Sequence, residues 1–256
     1  MNQVFAALAQ VSGLAEGFIW QAALVFLRVG AAVALLPAVG EQMVPQRVKL
    51  AATVALTAIV APTVAGRSPM PPGLLGPLAT EAAAGLVIGL GLRLLILGLQ
   101  TAGTIAAQST SLSQMFAGTG PEPQPIVANL FVLAGLALFV TLDGLGRSAG
   151  LLILSYDFIP QGQLPSPADL AEWGLGRISA AFSMAFSLAA PFVLAALLYN
   201  LALGAINRAM PQLMVTMIGA PALTLGGLML LTVAAPLILS IWREALNLAL
   251  DRPFGG

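Results

Sequence analysis

The 256 residues are 59% hydrophobic and only 8% charged, and ten basic side chains balance ten acidic ones; an ordinary soluble domain carries about 25% charged residues. Net neutrality without a basic cluster argues against a nucleic-acid face or a polybasic lipid-binding tail. Cys and His are both absent, which removes disulfides, thiol and imidazole chemistry and the usual zinc, haem and iron–sulfur ligands, so no cofactor is expected. Apolar runs extend almost end to end, which predicts a single membrane domain over residues 1–256.

From the N-terminus, Met1 to Gly17 contains Glu16 but no Lys or Arg. It lacks the positive region of a cleavable signal, so the first span is expected to be retained. That first apolar segment covers about 18–39, with Arg28 near its middle. The second, about 50–64, is short for a perpendicular crossing. A loop rich in Pro and Gly follows, and then a third segment, about 82–107, which holds Arg93 and passes into a polar stretch from Gln100 to Gln114. After a break at 118–125 come a fourth segment, about 126–142, and a shorter apolar piece, 145–159. A polar loop, 161–177, precedes two long runs at about 178–206 and 213–242, which form a hairpin around Asn207, Arg208 and Pro211. Between Arg177 and Arg208, and again between Arg208 and Arg243, no charged residue occurs. Each gap exceeds the roughly 20 residues that cross a hydrocarbon core as a helix.

Continuous runs of this kind lack the alternation of a membrane barrel, so the fold class is all-α, a polytopic helical membrane protein with about six hydrophobic segments. Pro37, Pro62, Pro191, Pro221 and Pro236 lie in or at the ends of these runs and predict kinks. Gly85 with Gly89, and Gly98 with Ala102, place small residues four apart for close helix contact. The loop from Asp157 to Arg177 is net acidic, while Arg47, Lys49 and Arg208 mark more basic turns. The positive-inside rule puts the Arg208 turn on the cytoplasmic side.

Enzymatic motifs are missing: no Walker loop, no Gly-x-Ser-x-Gly elbow and no His-based metalloprotease signature occurs. Glu41, Glu81 and Asp143 lie near span ends, but no spacing sets two of them on one helix, so an enzyme is not expected. Arg28 and Arg93 are more telling. A mid-span guanidinium costs at least about 2.5 kcal/mol on insertion scales, so each must face a partner or water. An ion pair, within the chain or to a neighbouring subunit, and a place on a conduction path both satisfy that demand. Arg28, Arg93 and Asp143 are therefore the intramembrane charges expected to serve assembly or pore lining. The polar stretch from Gln100 to Gln114 either borders an aqueous cavity or leaves the membrane as a loop.

Six motifs in series carry a family resemblance. Pro37-Ala38-Val39-Gly40-Glu41-Gln42-Met43-Val44-Pro45-Gln46-Arg47-Val48-Lys49-Leu50 opens the second segment, with Gly40, Glu41 and Pro45 as its turn. Glu81, Gly85, Gly89 and Arg93 precede Ala102-Gly103. Then come Ser111-Leu112-Ser113-Gln114-Met115-Phe116, Asp143-Gly144 and Ser155-Tyr156-Asp157-Phe158-Ile159-Pro160. The last is Asn200-Leu201-Ala202-Leu203-Gly204 with Arg208-Ala209-Met210-Pro211-Gln212-Leu213 and Gly219-Ala220-Pro221. In this order they resemble the flagellar biosynthetic protein FliR family. Leu145 and Met214 depart from it, standing where the family usually has His and often has Asn. The resemblance implies a subunit of the flagellar type III export gate in the bacterial inner membrane, within the flagellar basal body. FliP-like and FliQ-like subunits, and FlhB-like and FlhA-like components, are the implied partners, with unfolded polypeptides as substrates. It also implies kinked hairpins coiled into a conical assembly and a loop that plugs the gate. Ser113, Gln114, Met115, Phe116 and Gly118 are the expected plug, since Met and Phe supply adaptable apolar bulk and Gly118 and Gly120 let the backbone bend. The equivalent subunit of a virulence injectisome is the alternative of similar architecture. A small-solute transporter is the more distant one, and no convincing internal repeat supports it.

Overall fold

In a computed structural model, the structure describes residues 2–65, 75–110, 126–210 and 215–252. Among them the regular elements are seven helices: α1 (Asn2–Val33), α2 (Gln46–Val64), α3 (Leu75–Ser109), α4 (Ile126–Thr141), α5 (Gly144–Phe158), α6 (Pro167–Ala209) and α7 (Val215–Asp251). Four stretches, α2, α3, α6 and Pro221–Asp251 of α7, are long and apolar enough to cross a membrane, and the bent pair α4 and α5 makes up to five. The apolar part of α1, Gly17–Val33, is shorter. The first segment expected from sequence thus ends as helix at Val33 and continues as turns. Pro37 accounts for this, since the residue before a proline is pushed out of helical geometry.

The chain divides into two compact units. The first gathers residues 1–93, 139–173 and 248–256. In it α1 packs on α2, and α2 on α5. Leu24, Val25, Val29 and Ala32 of α1 are fully buried. Gly85 and Gly89 are the reason α1 can lie so close to α3: a Cβ on Gly85 would fall on the Arg28 carbonyl, and one on Gly89 would come within 2.7 Å of the Ala32 carbonyl. The second unit gathers residues 94–138 and 174–247. There Gly103 is pressed against Ala128 of α4, and Gly135 faces Leu99. Trp242 of α7 is fully buried, with its indole N–H donating to the Leu95 carbonyl at 3.0 Å. Tyr199 of α6 donates its hydroxyl to the Gly219 carbonyl of α7 at 2.7 Å.

Several local outcomes differ from the sequence reading. α6 starts at Pro167, well before the run at 178, because Ser166 Oγ accepts the Asp169 N–H at 3.2 Å. Proline at the first helical position loses no needed donor, and Asp169 suits the positive end of the helix dipole. The polar residues that close α3 remain helical to Ser109. Thr101, Thr104, Ser109 and Thr110 donate their hydroxyls to the carbonyls of Leu97, Gln100, Ile105 and Ala106, one turn back. Pro62, Pro191, Pro221 and Pro236 all sit inside helices. The sharp bend of 72° falls instead between α4 and α5, where Asp143 takes a left-handed φ of 55°. Asp is one of the few residues that enters that region readily. Gly146 makes room for it, since a Cβ there would strike the Asp143 carboxylate.

Candidate functional site

Arg28 of α1 and Glu81 of α3 are both completely buried. Arg28 Nε donates to Glu81 Oε2 at 2.8 Å and Nη2 to Oε1 at 2.9 Å, the planar two-pronged pairing that only guanidinium offers. Two further N–H groups reach the α5 region: Nη1 donates to Ser155 Oγ at 3.1 Å and Nη2 to the Ile159 carbonyl at 3.0 Å. The Tyr156 ring stacks on the guanidinium, 3.7 Å from its centroid, and the Tyr156 hydroxyl points at Glu81 Oε2 from 3.4 Å. Gly162 completes the cluster by donating its N–H to Glu81 Oε1 at 3.0 Å. Its φ of 75° is the reason a glycine stands there.

One charge pair therefore gathers three helices and the turn after α5. Glu81 receives four donors and keeps no oxygen free for a substrate, so the cluster holds elements together rather than reacting. Desolvating two charges costs several kcal/mol each, and only such complete pairing offsets it.

Arg93 is placed differently. Arg93 Nη1 pairs with Glu41 Oε1, with side chains 27% and 20% exposed. Glu41 sits in the turn between α1 and α2, where Ala38 has φ 68°. The Val39 N–H bonds to the Pro37 carbonyl at 2.9 Å across it, which marks a tight γ-type turn. Gly40 is required there, because a Cβ would lie 2.7 Å from the carbonyls of Ala34 and Leu36. Lys49 Nζ donates to the Gly40 carbonyl at 3.1 Å. Pro45 precedes α2 as its cap residue.

Asp143 stands apart at the α4–α5 bend. Arg208 is exposed in the last turn of α6, where a cation suits the helix dipole. Pro211 and the expected plug, Ser113, Gln114, Met115, Phe116 and Gly118, lie outside the described residues. Sequence reasoning singled out Arg28 and Glu81 separately and missed their pairing, along with the parts played by Ser155, Tyr156 and Gly162. The usable signal was the scarcity of carboxylates: an intramembrane arginine needs one, and few exist.

Fold and site together define a polytopic α-helical membrane protein in which Arg28 and Arg93 each pair with a carboxylate of the same chain. Residues 19–249 match the family described as bacterial export proteins, family 1. The chain is 33% identical to the flagellar biosynthetic protein FliR of Caulobacter vibrioides, over 91% of this chain and 95% of that one. It is 32% identical to FliR of Escherichia coli, over 88% and 89%, and 30% identical to FliR of Pectobacterium carotovorum subsp. carotovorum, over 83% of each. The chain belongs to the FliR family of bacterial export proteins, and is a subunit of the flagellar type III export gate.

Proposed function

We propose that the chain acts as a single membrane domain in the bacterial inner membrane. It joins FliP-like and FliQ-like subunits, beside FlhB-like and FlhA-like components, to form the channel through which unfolded flagellar proteins leave the cytoplasm. The observation that carries this reading is helix length. α6 and α7 have 43 and 37 residues, or about 65 and 55 Å at 1.5 Å per residue. A hydrocarbon core is about 30 Å thick. Leu175 and Leu201 of α6, and Leu225 and Leu248 of α7, are all more than half exposed, and each pair stands about 35–39 Å apart along its helix. So much apolar surface exceeds what lipid alone covers, and partner subunits supply the rest.

The Arg28–Glu81 cluster serves assembly by fixing α1, α3 and the turn after α5 before partners dock. Arg93 and Asp143 serve the same end or the wall of the passage. The segment from Ser113 to Gly118 closes the passage at rest, since a hydrophobic constriction that dewets stops ions yet yields to a polypeptide. A tagged copy expressed in a strain lacking its own FliR tests the reading. Restored motility and co-purification of two further small membrane proteins are expected. A monodisperse, partner-free protein that leaves the strain non-motile overturns it.

A further inference from the structure

Within the second unit α3 is held on two sides and open on a third. One side meets α6 at Gly98, where a Cβ would lie 3.1 Å from the Ala181 carbonyl and 2.8 Å from Met184 Cε. The other meets α4 at Gly103, where a Cβ would come within 2.8 Å of the Ala128 nitrogen, and the Leu95 carbonyl takes the Trp242 indole of α7. At about 100° per residue, Gln100, Thr104 and Gln108 fall within about 80° of arc, roughly 60° from Gly103 and 80° from Gly98, with the exposed Leu97 between Thr104 and Gln108. Gln108 is exposed, and Gln100 and Thr104 are half-buried. Thr104 satisfies its own hydroxyl on the Gln100 carbonyl. Among the described residues, neither glutamine carboxamide has a hydrogen-bond partner.

An unpaired amide in hydrocarbon costs several kcal/mol, so this face must meet water or hydrogen-bonding protein. The backbone groups of a partner helix are already bonded to one another, so such a helix meets these amides only through polar side chains. An unfolded chain in transit is the opposite case: its peptide N–H and C=O groups seek partners, and a carboxamide offers both a donor and an acceptor. We propose that the α3 face bearing Gln100, Thr104 and Gln108 lines the water-filled path and makes hydrogen bonds to the backbone of the passing polypeptide. Being uncharged, it handles acidic and basic segments alike. This rests on the export reading.

The chain contains no cysteine, so single substitutions report cleanly. Gln100→Cys, Thr104→Cys and Gln108→Cys are made alongside Ala102→Cys and Ala106→Cys, whose positions are buried. Each is labelled in motile cells with a membrane-impermeant maleimide. An apolar setting that raises a thiol pKa by one unit removes nine-tenths of the thiolate, so labelling at least about ten-fold faster is expected at the three path positions. An export substrate fused to a domain too stable to unfold, stalled in the gate, should slow that labelling by a similar factor. Equal, slow labelling at all five positions overturns the proposal, and so does labelling that the stalled substrate leaves unchanged. A second variant guards against misfolding: Gln100→Leu with Gln108→Leu should slow export several-fold while the complex assembles in normal amount, and unchanged export overturns the proposal. If the unsubstituted chain does not restore motility, the export reading itself fails instead.

Discussion

At the scale of single residues, the central fact is that Arg28 and Glu81 are worth little apart. Both are sealed from solvent, and removing one partner leaves the other charge uncompensated, a loss of about 3–5 kcal/mol. Arg28→Leu should therefore cut the amount of assembled complex sharply, measured by co-purification in mild detergent. Arg28→Lys should be intermediate, since it keeps the charge but loses the fork that serves Glu81, Ser155 and the Ile159 carbonyl at once. Arg28→Leu combined with Glu81→Leu should be better tolerated than either single change, because no orphaned charge remains. A double variant worse than both singles would show that the pair does more than neutralise itself. Arg93 and Glu41, being partly exposed, should show a weaker version of the same pattern.

At the scale of elements, close helix crossings and caps carry the specificity. Gly85→Leu would drive a side chain into the α1 backbone at Arg28 and should prevent α1 from seating, seen as loss of folded protein. Gly150 and Gly204 are helical glycines with nothing within 4 Å of an added Cβ. Ala at either position should stabilise by roughly 0.5–1 kcal/mol, since helical glycine mainly costs backbone entropy. Thermal unfolding in detergent distinguishes these cases, and a Gly85→Leu variant as stable as Gly150→Ala would refute the crossing described for α1 and α3. Ser166→Ala removes the side-chain acceptor at the start of α6. It should lower stability by about 1 kcal/mol, with faster hydrogen exchange over the first turn as the local readout.

At the scale of the whole molecule, the proposed export role makes a physiological prediction. Deleting Gln114 to Gly118 should leave the assembled gate leaky to ions and small molecules, because the segment holds Met115 and Phe116, apolar bulk suited to a dewetted closure. Conductance of membranes carrying the assembled complex reads this directly. A tight membrane with normal assembly would move the plug to another part of the gate.

How much of this was legible in sequence depends on the range of the interaction. Helical class, the approximate spans and the flagellar export family followed from local features: the charge-free run from Arg177 to Arg208, and ordered motifs such as Gly40-Glu41 and Asp143-Gly144. Hydrophobic runs are read residue by residue, so they survive without coordinates. The early start of α6 was also written locally, in Ser166-Pro167-Ala168-Asp169, a capping pattern overshadowed by the polarity of that loop. What only the tertiary structure decided was partnership. Nothing in the spacing says that Arg28 finds Glu81 53 residues away, and then Ser155 127 residues away. Those pairings arise because Gly85 lets α1 press against α3, with Ser155 and the Ile159 carbonyl at the end of α5 within reach of the same guanidinium. A charge buried in an apolar interior states that it must be paired, and the packing of distant helices chooses with what.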